Sequence, residues 1–180
     1  LDQDDAFPTD SSETSDNDGD GTGDNADTDD DNDGVSDDEE NDHPNGGDGN
    51  NDTVLDSLQG NVASFLIYND TNYITMASPA GTSLSSCETV DDLSLEEAIA
   101  DIVFPYGFFN FTIEGIVSGA STTLILYFPA DATLETYYKY GPTPSNPINH
   151  WYEFLYDGDT GANAGVRIAD AHSTGTVQRR

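Results

Sequence analysis

The sequence predicts a mainly β fold: an antiparallel β-sandwich of the immunoglobulin-like or jelly-roll type, preceded by an irregular acidic arm. Two observations predict this fold. Residues 60–180 contain seven or eight short apolar segments separated by turn residues, which is the spacing expected of a sandwich. The 36 acidic residues divide into 22 in residues 1–60 and 14 in residues 61–180, so the N-terminal third cannot build an apolar core. We therefore predict two domains, residues 1–59 and residues 60–180.

Residues 16–40 contain two copies of a twelve-residue pattern that is typical of calcium-binding loops. In this pattern, side-chain oxygens occupy positions 1, 3, 5, 9 and 12, a backbone carbonyl serves at position 7, and a glycine at position 6 allows a sharp turn. Gly21 and Gly34 stand at position 6 of the two copies. The predicted ligands are Asp16, Asp18, Asp20, Thr22, Asp24 and Asp27 in the first loop, and Asp29, Asp31, Asp33, Val35, Asp37 and Glu40 in the second loop.

A weaker third copy occupies residues 48–59, after an interruption at residues 43–47. Thr53 replaces the glycine, and the last position holds the neutral Gln59, so this site is predicted to be looser and less charged. Only Thr28 separates the first two loops, which leaves no room for the flanking helices of an EF-hand. The predicted ligands of the third loop are Asp48, Asn50, Asp52, Val54, Asp56 and Gln59.

These loops predict several bound Ca²⁺ ions as the cofactor of the chain. Clustered oxygen ligands without cysteine or histidine suit a hard cation. The alternative is a solvated acidic tail, because runs of like charge are usually disordered. The glycine that recurs in register at position 6 favours calcium loops over a random acidic sequence.

The arm resembles the thrombospondin type 3 repeat family in residues 7–10, Glu13, residues 16–27 and residues 29–37. The resemblance implies a calcium-wrapped rod with almost no hydrophobic core. The cysteines of that family are absent here, as in its bacterial versions, which implies that the ions alone hold the arm together.

The second domain is predicted from its alternation of apolar runs and turns. Ser94 and Glu97 form a capping box, which predicts one short helix ending near residue 102. A hairpin is expected between the segments 108–117 and 122–128, with a further turn at residues 157–158. The predicted strands are residues 62–68, 73–77, 82–90, 108–117, 122–128, 135–140, 151–156 and 166–169.

A second resemblance lies in residues 104–109, 137–144 and 150–158, which look like the choice-of-anchor U domain of bacterial surface proteins. In that family the domain commonly follows type 3 repeats and precedes a C-terminal sorting signal. The resemblance implies a location outside the cell or on its surface. After Gly161 the sequence departs from the family pattern.

Composition and charge disfavour several classes of function. A net charge of −32 disfavours nucleic acid as a partner, and no apolar run is long enough to span a membrane. Cys87 is the one cysteine, which excludes an internal disulfide and predicts a small buried residue. The three histidines stand beside no nucleophile or paired base, so we predict that the chain is not an enzyme. Together with Leu1 in place of an initiator methionine, these features predict a processed, secreted chain.

The function predicted from the sequence is a calcium-stabilised extracellular structural protein whose copies associate into a surface fibre or filament. An incomplete repeat before residue 16, and an acidic arm opposite the C-terminal arginines Arg179 and Arg180, motivate this self-association. The alternative is an adhesin or glycan-binding head on a calcium stalk, in which Trp151, Tyr152, Tyr138 and Tyr140 supply a stacking platform for a surface glycan or another cell-envelope partner. Because strands alternate faces, Trp151 and Tyr152 cannot both point inward, so one of them must face solvent, a sugar or another chain. Replacement of Asp20 or Asp33 by alanine is expected to lower the number of bound ions while the sandwich stays folded.

Overall fold

A computed structural model of the chain describes about three quarters of the residues. The predicted helix at residues 94–102 and the predicted turn at residues 157–158 lie outside the described part. Within that part the fold is mainly β with antiparallel pairing, as the sequence predicts. The described residues are 5–67, 72–90, 104–118, 120, 122–130, 132, 137–143, 145–153, 166–170 and 173–177.

The described residues contain one short helix, at the end of the second loop, and nine strands. The helix α1 spans Asp37–Asn41, and Ser36 caps its N-terminus by accepting the amide hydrogen of Glu39 at 3.3 Å. A single 3₁₀ turn covers Asp56–Leu58. The strands are β1 Val62–Leu66, β2 Tyr73–Ala77, β3 Ser83–Val90, β4 Phe108–Glu114, β5 Ile125–Phe128, β6 Tyr138–Thr143, β7 Asn146–Glu153, β8 Val166–Asp170 and β9 Ser173–Val177.

These strands form one five-stranded sheet and two two-stranded sheets. The large sheet has the order β1-β2-β5-β8-β9, with all neighbours antiparallel except β5 and β8, which are parallel. The two small sheets are β3-β4 and β6-β7. Within the described ranges, no helix has the length and apolar character needed to cross a bilayer.

The predicted hairpin between the segments 108–117 and 122–128 is wrong. Strand β4 pairs with β3, with Leu84 opposite Ile113, and β5 pairs instead with β2, with Met76 opposite Leu126. The pairing with β2 places Leu126 and Phe128 in the same buried cluster as Met76. Burial of these side chains therefore outweighs the short connection that favoured a local hairpin.

The hydrophobic core contains buried side chains of the large sheet and of β3, with partly buried side chains of β4 packed against it, and the arm contributes to it. Phe65, Ile74, Met76 and Leu84 are almost completely buried. Cys87 belongs to the same cluster, which confirms its prediction as a small buried residue. Burial of one large apolar side chain contributes roughly 1.5–3 kcal/mol. From the arm, Val35 at position 7 of the second loop packs into this cluster.

The arm also covers the outer edge of β1, which is the first strand of the large sheet. The backbone amide of Ser64 donates to Glu40 Oε1 at 2.8 Å, and that of Leu66 donates to Glu39 Oε1 at 2.9 Å. An edge strand presents such N–H groups without a strand partner. Among the described strands β1 has no neighbour on this side, and two carboxylates of α1 accept its N–H groups instead.

Candidate metal centre

All three loops share one pattern of hydrogen bonds between side chains and backbone. The side-chain oxygen at position 3 accepts a hydrogen bond from the backbone N–H of position 5. In the same way, the side chain at position 5 accepts from the N–H of position 7, and the side chain at position 9 accepts from the N–H of position 2. This pattern extends to the third loop despite its weaker sequence match. In the first loop, the N–H groups of Asp20, Thr22 and Asn17 donate to Asp18 (2.9 Å), Asp20 (2.7 Å) and Asp24 (2.8 Å), respectively. In the second loop, those of Asp33, Val35 and Asp30 donate to Asp31 (3.2 Å), Asp33 (2.7 Å) and Asp37 (2.9 Å). In the third loop, those of Asp52, Val54 and Gly49 donate to Asn50 (2.9 Å), Asp52 (2.9 Å) and Asp56 (2.7 Å).

The backbone of the loops turns at the same two positions in each copy. Position 4 has a positive φ in all three loops, and position 6 does so at Gly21 (96°), Gly34 (102°) and Thr53 (78°). Gly34 is also needed for space, because a Cβ there would lie 2.9 Å from the backbone nitrogen of Cys87. Thr53 thus adopts the left-handed conformation that the pattern reserves for glycine, although a β-branched residue is strained there.

Replacement of Thr53 by glycine is expected to stabilise the protein by about 1 kcal/mol, because it relieves a left-handed conformation that costs a non-glycine residue roughly that much. Chemical denaturation in calcium would measure the gain. Asn51→Gly is the matched control, since asparagine tolerates its φ of 63° with little strain. A loss of stability in Thr53→Gly would show that the threonine side chain has a role that the strain argument omits.

Two clusters of three acidic residues could hold a metal ion. In each cluster one carboxylate oxygen per residue lies within 4.8 Å of the corresponding oxygens of the other two residues. The clusters differ in burial: the first is half-exposed or exposed, whereas in the second Asp31 and Asp33 are buried. The clusters are Asp16, Asp18 and Asp20 at positions 1, 3 and 5 of the first loop, and Asp29, Asp31 and Asp33 at the same positions of the second.

Buried carboxylate oxygens without a hydrogen-bond partner gather around the second loop. A buried carboxylate that lacks a partner is costly, because its charged form has lost water without compensation. A single bound cation would provide a partner for several such oxygens at once. Among the described residues, the unpartnered atoms are Asp29 Oδ1, Asp30 Oδ1, Asp31 Oδ2, Asp33 Oδ2, Glu40 Oε2 and Asp56 Oδ1.

Burial and mutual repulsion raise the pKa values of these carboxyl groups. Burial is the larger cause in each case, and it raises the pKa of Asp31 to about 7, that of Asp33 to about 8 and that of Glu40 to about 10. The neighbouring negative charges add to the effect. The pKa values of Asp29 and Asp56 are raised for the same reasons. Several charges in this site are therefore unfavourable unless a cation balances them.

The remaining predicted ligands occupy less buried surroundings. In the first loop, the Asp27 carboxylate accepts the amide hydrogens of Thr28 (2.7 Å) and Asp29 (3.1 Å). In the third loop, the Gln59 amide nitrogen donates to Asp52 Oδ1 at 3.2 Å and to the Val54 carbonyl at 3.4 Å. An amide N–H therefore lies near two of the oxygens that the pattern assigns to a metal.

Sequence reasoning missed several residues around the second loop. Asp30 stands at position 2, which the pattern does not count as a ligand, yet one of its oxygens is buried and unpartnered. Ser64 and Glu39 connect the loop to β1. Tyr73 of β2 adds a hydrogen bond from its hydroxyl to the Glu39 carbonyl at 3.0 Å. These contacts join residues far apart in sequence, so no local signal could have revealed them.

No family model, no curated protein and no solved structure matches the chain. The resemblances to thrombospondin type 3 repeats and to the choice-of-anchor U domain stay predictions. The site is therefore interpreted from its own geometry and chemistry.

Proposed function

We propose that the chain is a calcium-stabilised structural protein of the extracellular space, in which ions hold an acidic repeat arm onto an antiparallel β-sandwich. One observation carries the proposal: buried carboxylate oxygens without hydrogen-bond partners converge in the second loop. The chain has 36 acidic residues against four lysines and arginines, so its own cations cannot balance these charges. Bound divalent ions supply the missing positive charge.

Calcium fits the donor set better than a softer metal. The available ligands are carboxylate and carbonyl oxygens, which Ca²⁺ accepts in flexible numbers, whereas Mg²⁺ demands a near-ideal octahedron. Cys87 lies next to the loop, but burial and the nearby carboxylates strongly raise its thiol pKa. One thiol among many carboxylate oxygens is not the sulfur-rich donor set that thiophilic metals prefer, so zinc and similar metals are disfavoured. Calcium loops of modest affinity suit the extracellular space, where the ion is abundant.

A structural role for the ions fits the burial of the second loop. Asp33 and Glu40 are completely buried against the sheet. A catalytic metal keeps an open coordination position for water or substrate, whereas a structural site is closed. An ion bound by these two residues would lie beneath the protein surface, which supports scaffolding over catalysis.

The glycan-binding alternative receives less support from the packing of Trp151. Its ring centroid lies 5.7 Å from that of Phe104, 5.4 Å from that of Phe108 and 5.3 Å from that of Tyr140. Trp151 is half-buried, and the three rings around it cover part of the face that a sugar would need. The aromatic residues of β6-β7 therefore favour a structural role for this hairpin.

Self-association into a fibre is the second part of the proposal. Large apolar side chains are exposed on both parts of the chain: Val117 is 77% exposed and Ile148 is 73% exposed in the β part, and Val54 is 45% exposed in the third loop. Such side chains gain from burial in a contact between copies. Calcium would reduce the repulsion between the acidic arms of neighbouring copies.

Electron microscopy of the full chain tests this assembly. We expect fibres or higher oligomers in calcium and dispersed chains after chelation, because the unbalanced acidic arms then repel one another. Light scattering at several protein concentrations gives an independent measure of particle mass. Monomers under both conditions would contradict self-association but would not contradict the calcium-stabilised fold.

A further inference from the structure

Carboxylates from the second and third loops meet at a single residue of the sheet. Ser64 of β1 donates its backbone N–H to Glu40 Oε1 at 2.8 Å and its hydroxyl to Asp56 Oδ2 at 2.5 Å. Because one small residue makes both contacts, the two carboxylates are neighbours although they belong to different loops. Asp56 is further fixed by the backbone N–H of Gly49, which donates to the same oxygen at 2.7 Å.

The other oxygens of this group are buried and lack partners. Glu40 Oε2 and Asp56 Oδ1 have no hydrogen bond, and neither does Asp33 Oδ2. Asp33, Glu40 and Asp56 are each 0% exposed. Asp33 and Glu40 stand at positions 5 and 12 of the second loop, which the repeat pattern assigns to one ion, and Ser64 joins Glu40 to Asp56.

The third loop by itself does not account for the free oxygen of Asp56. The two oxygens of Asp48 accept backbone N–H groups of Asp52 (3.0 Å) and Thr53 (2.9 Å). Asp52 Oδ1 accepts the amide hydrogens of Val54 and of Gln59. Both acidic side chains are less buried than Asp56. Within the described part of the chain, Asp56 contributes the one buried, unpartnered side-chain oxygen of the third loop.

We propose that a single divalent cation is bound jointly by the second and third loops, with Asp33, Glu40 and Asp56 each supplying an oxygen. The inference rests on the proposed calcium function and goes beyond it, because the repeat pattern assigns Asp56 to a separate ion of the third loop. A shared ion joins the two loops to each other, and Ser64 joins both to β1. Three buried carboxylates then have one common counter-charge.

Calorimetric titration of Ca²⁺ into the full chain and into Asp56→Asn tests the proposal. We expect the variant to lose about tenfold or more in affinity at the site that Asp33→Asn also weakens, since both changes remove a ligand of one ion. For the same reason, the effects of the two changes on that affinity should be non-additive in the double variant. The amide carbonyl that Asp56→Asn introduces can still accept from Gly49 and Ser64, so the change removes the charge and preserves these contacts.

Asp52→Asn is the matched control, because Asp52 holds in the third loop the position that Asp33 holds in the second. Its effect should add independently to that of Asp33→Asn, as for residues that do not share a ligand. The proposal is overturned if Asp56→Asn behaves like Asp52→Asn and its effect simply adds to that of Asp33→Asn.

Thermal unfolding with and without chelator gives a second readout. Asp56→Asn should lower the melting temperature in calcium and raise it in chelator, where the variant removes a buried charge that no cation balances. A lower melting temperature in both conditions, or failure to fold in either, would count against the shared ion. An unmutated chain that takes up no Ca²⁺ would refute the proposed function itself. Calcium uptake with matching Asp56→Asn and Asp52→Asn phenotypes would refute the shared site alone.

Discussion

Replacement of Asp33 by alanine is expected to destabilise the calcium-loaded protein by about 3–5 kcal/mol, the range found when one partner of a buried charge pair is removed. Asp33 is completely buried, and its carbonyl accepts the amide hydrogen of Cys87 at 3.0 Å. Val35, two residues later, packs in the hydrophobic core. Loss of the ion at this loop should therefore loosen β3 and the core as well as the arm. Calorimetric melting in calcium should show a decrease of roughly 10 °C or more.

Asp20→Ala is the matched control, since Asp20 occupies position 5 of the first loop. Its side chain is exposed, and it accepts a hydrogen bond from Thr22 within its own loop. We expect it to lose a bound ion with a stability change of about 1 kcal/mol or less. The sequence alone predicts that the sandwich stays folded in both variants. The contacts of Asp33 predict instead that Asp33→Ala is much less stable than Asp20→Ala. Equal, small effects of both variants would show that the second loop is not coupled to the sheet.

The second large effect is a reversal of the pH dependence of stability by calcium. The pKa values of Asp31, Asp33 and Glu40 are about 7, 8 and 10 in the folded chain, above the ordinary values of 3.8 for Asp and 4.5 for Glu. At pH values between the ordinary pKa and the raised pKa of each group, the folded chain binds more protons than the unfolded chain. The free energy of unfolding therefore rises as pH falls through this range. In chelator, the protein should therefore be more stable at pH 5 than at pH 8. With calcium the sign inverts, because protons compete with the ion for the same oxygens.

Denaturant titrations at pH 5 and pH 8, each with calcium and with chelator, measure this reversal. The stabilisation by calcium should be large at pH 8 and small at pH 5. The Glu40→Gln variant supplies the control, since it removes the group with the highest of the three pKa values and should flatten the pH dependence in chelator. An unfolding free energy that rises with pH in chelator would contradict the burial of unbalanced carboxyl groups.

The conformation of the loops could be predicted from the sequence because it depends on contacts within twelve residues. Oxygen-bearing side chains at positions 3, 5 and 9 meet backbone N–H groups of the same loop, and the turns occur where the pattern expects them. Thr53 shows the limit of this reasoning. The missing glycine did not change the turn: Thr53 has the left-handed backbone of the two glycines, and its N–H donates to Asp48. The looser, less charged metal site expected from Thr53 and Gln59 stays a prediction. Whether ions occupy these loops stays a prediction.

The connection between the loops and the sheet could not be predicted in the same way. The bonds from Ser64 to Glu40 and from Leu66 to Glu39 span 24 and 27 residues, and they arise only after β1 becomes an edge strand. The strand segments were recognisable from their apolar runs, but their pairing depends on which faces share the core. The wrong hairpin has this origin, because β5 pairs with β2 from a distant part of the chain.

Hydrogen exchange with and without calcium tests most directly whether ions replace an apolar interior in the N-terminal third. The amides of Gly34, Val35, Ser64 and Cys87 all donate to groups of the second loop. We expect these amides to be protected in calcium and to exchange rapidly after exhaustive chelation at pH 8, because the unbalanced carboxylates then open the loop. Unchanged protection after chelation would contradict the account, since it would show that residues 29–40 hold their shape without metal.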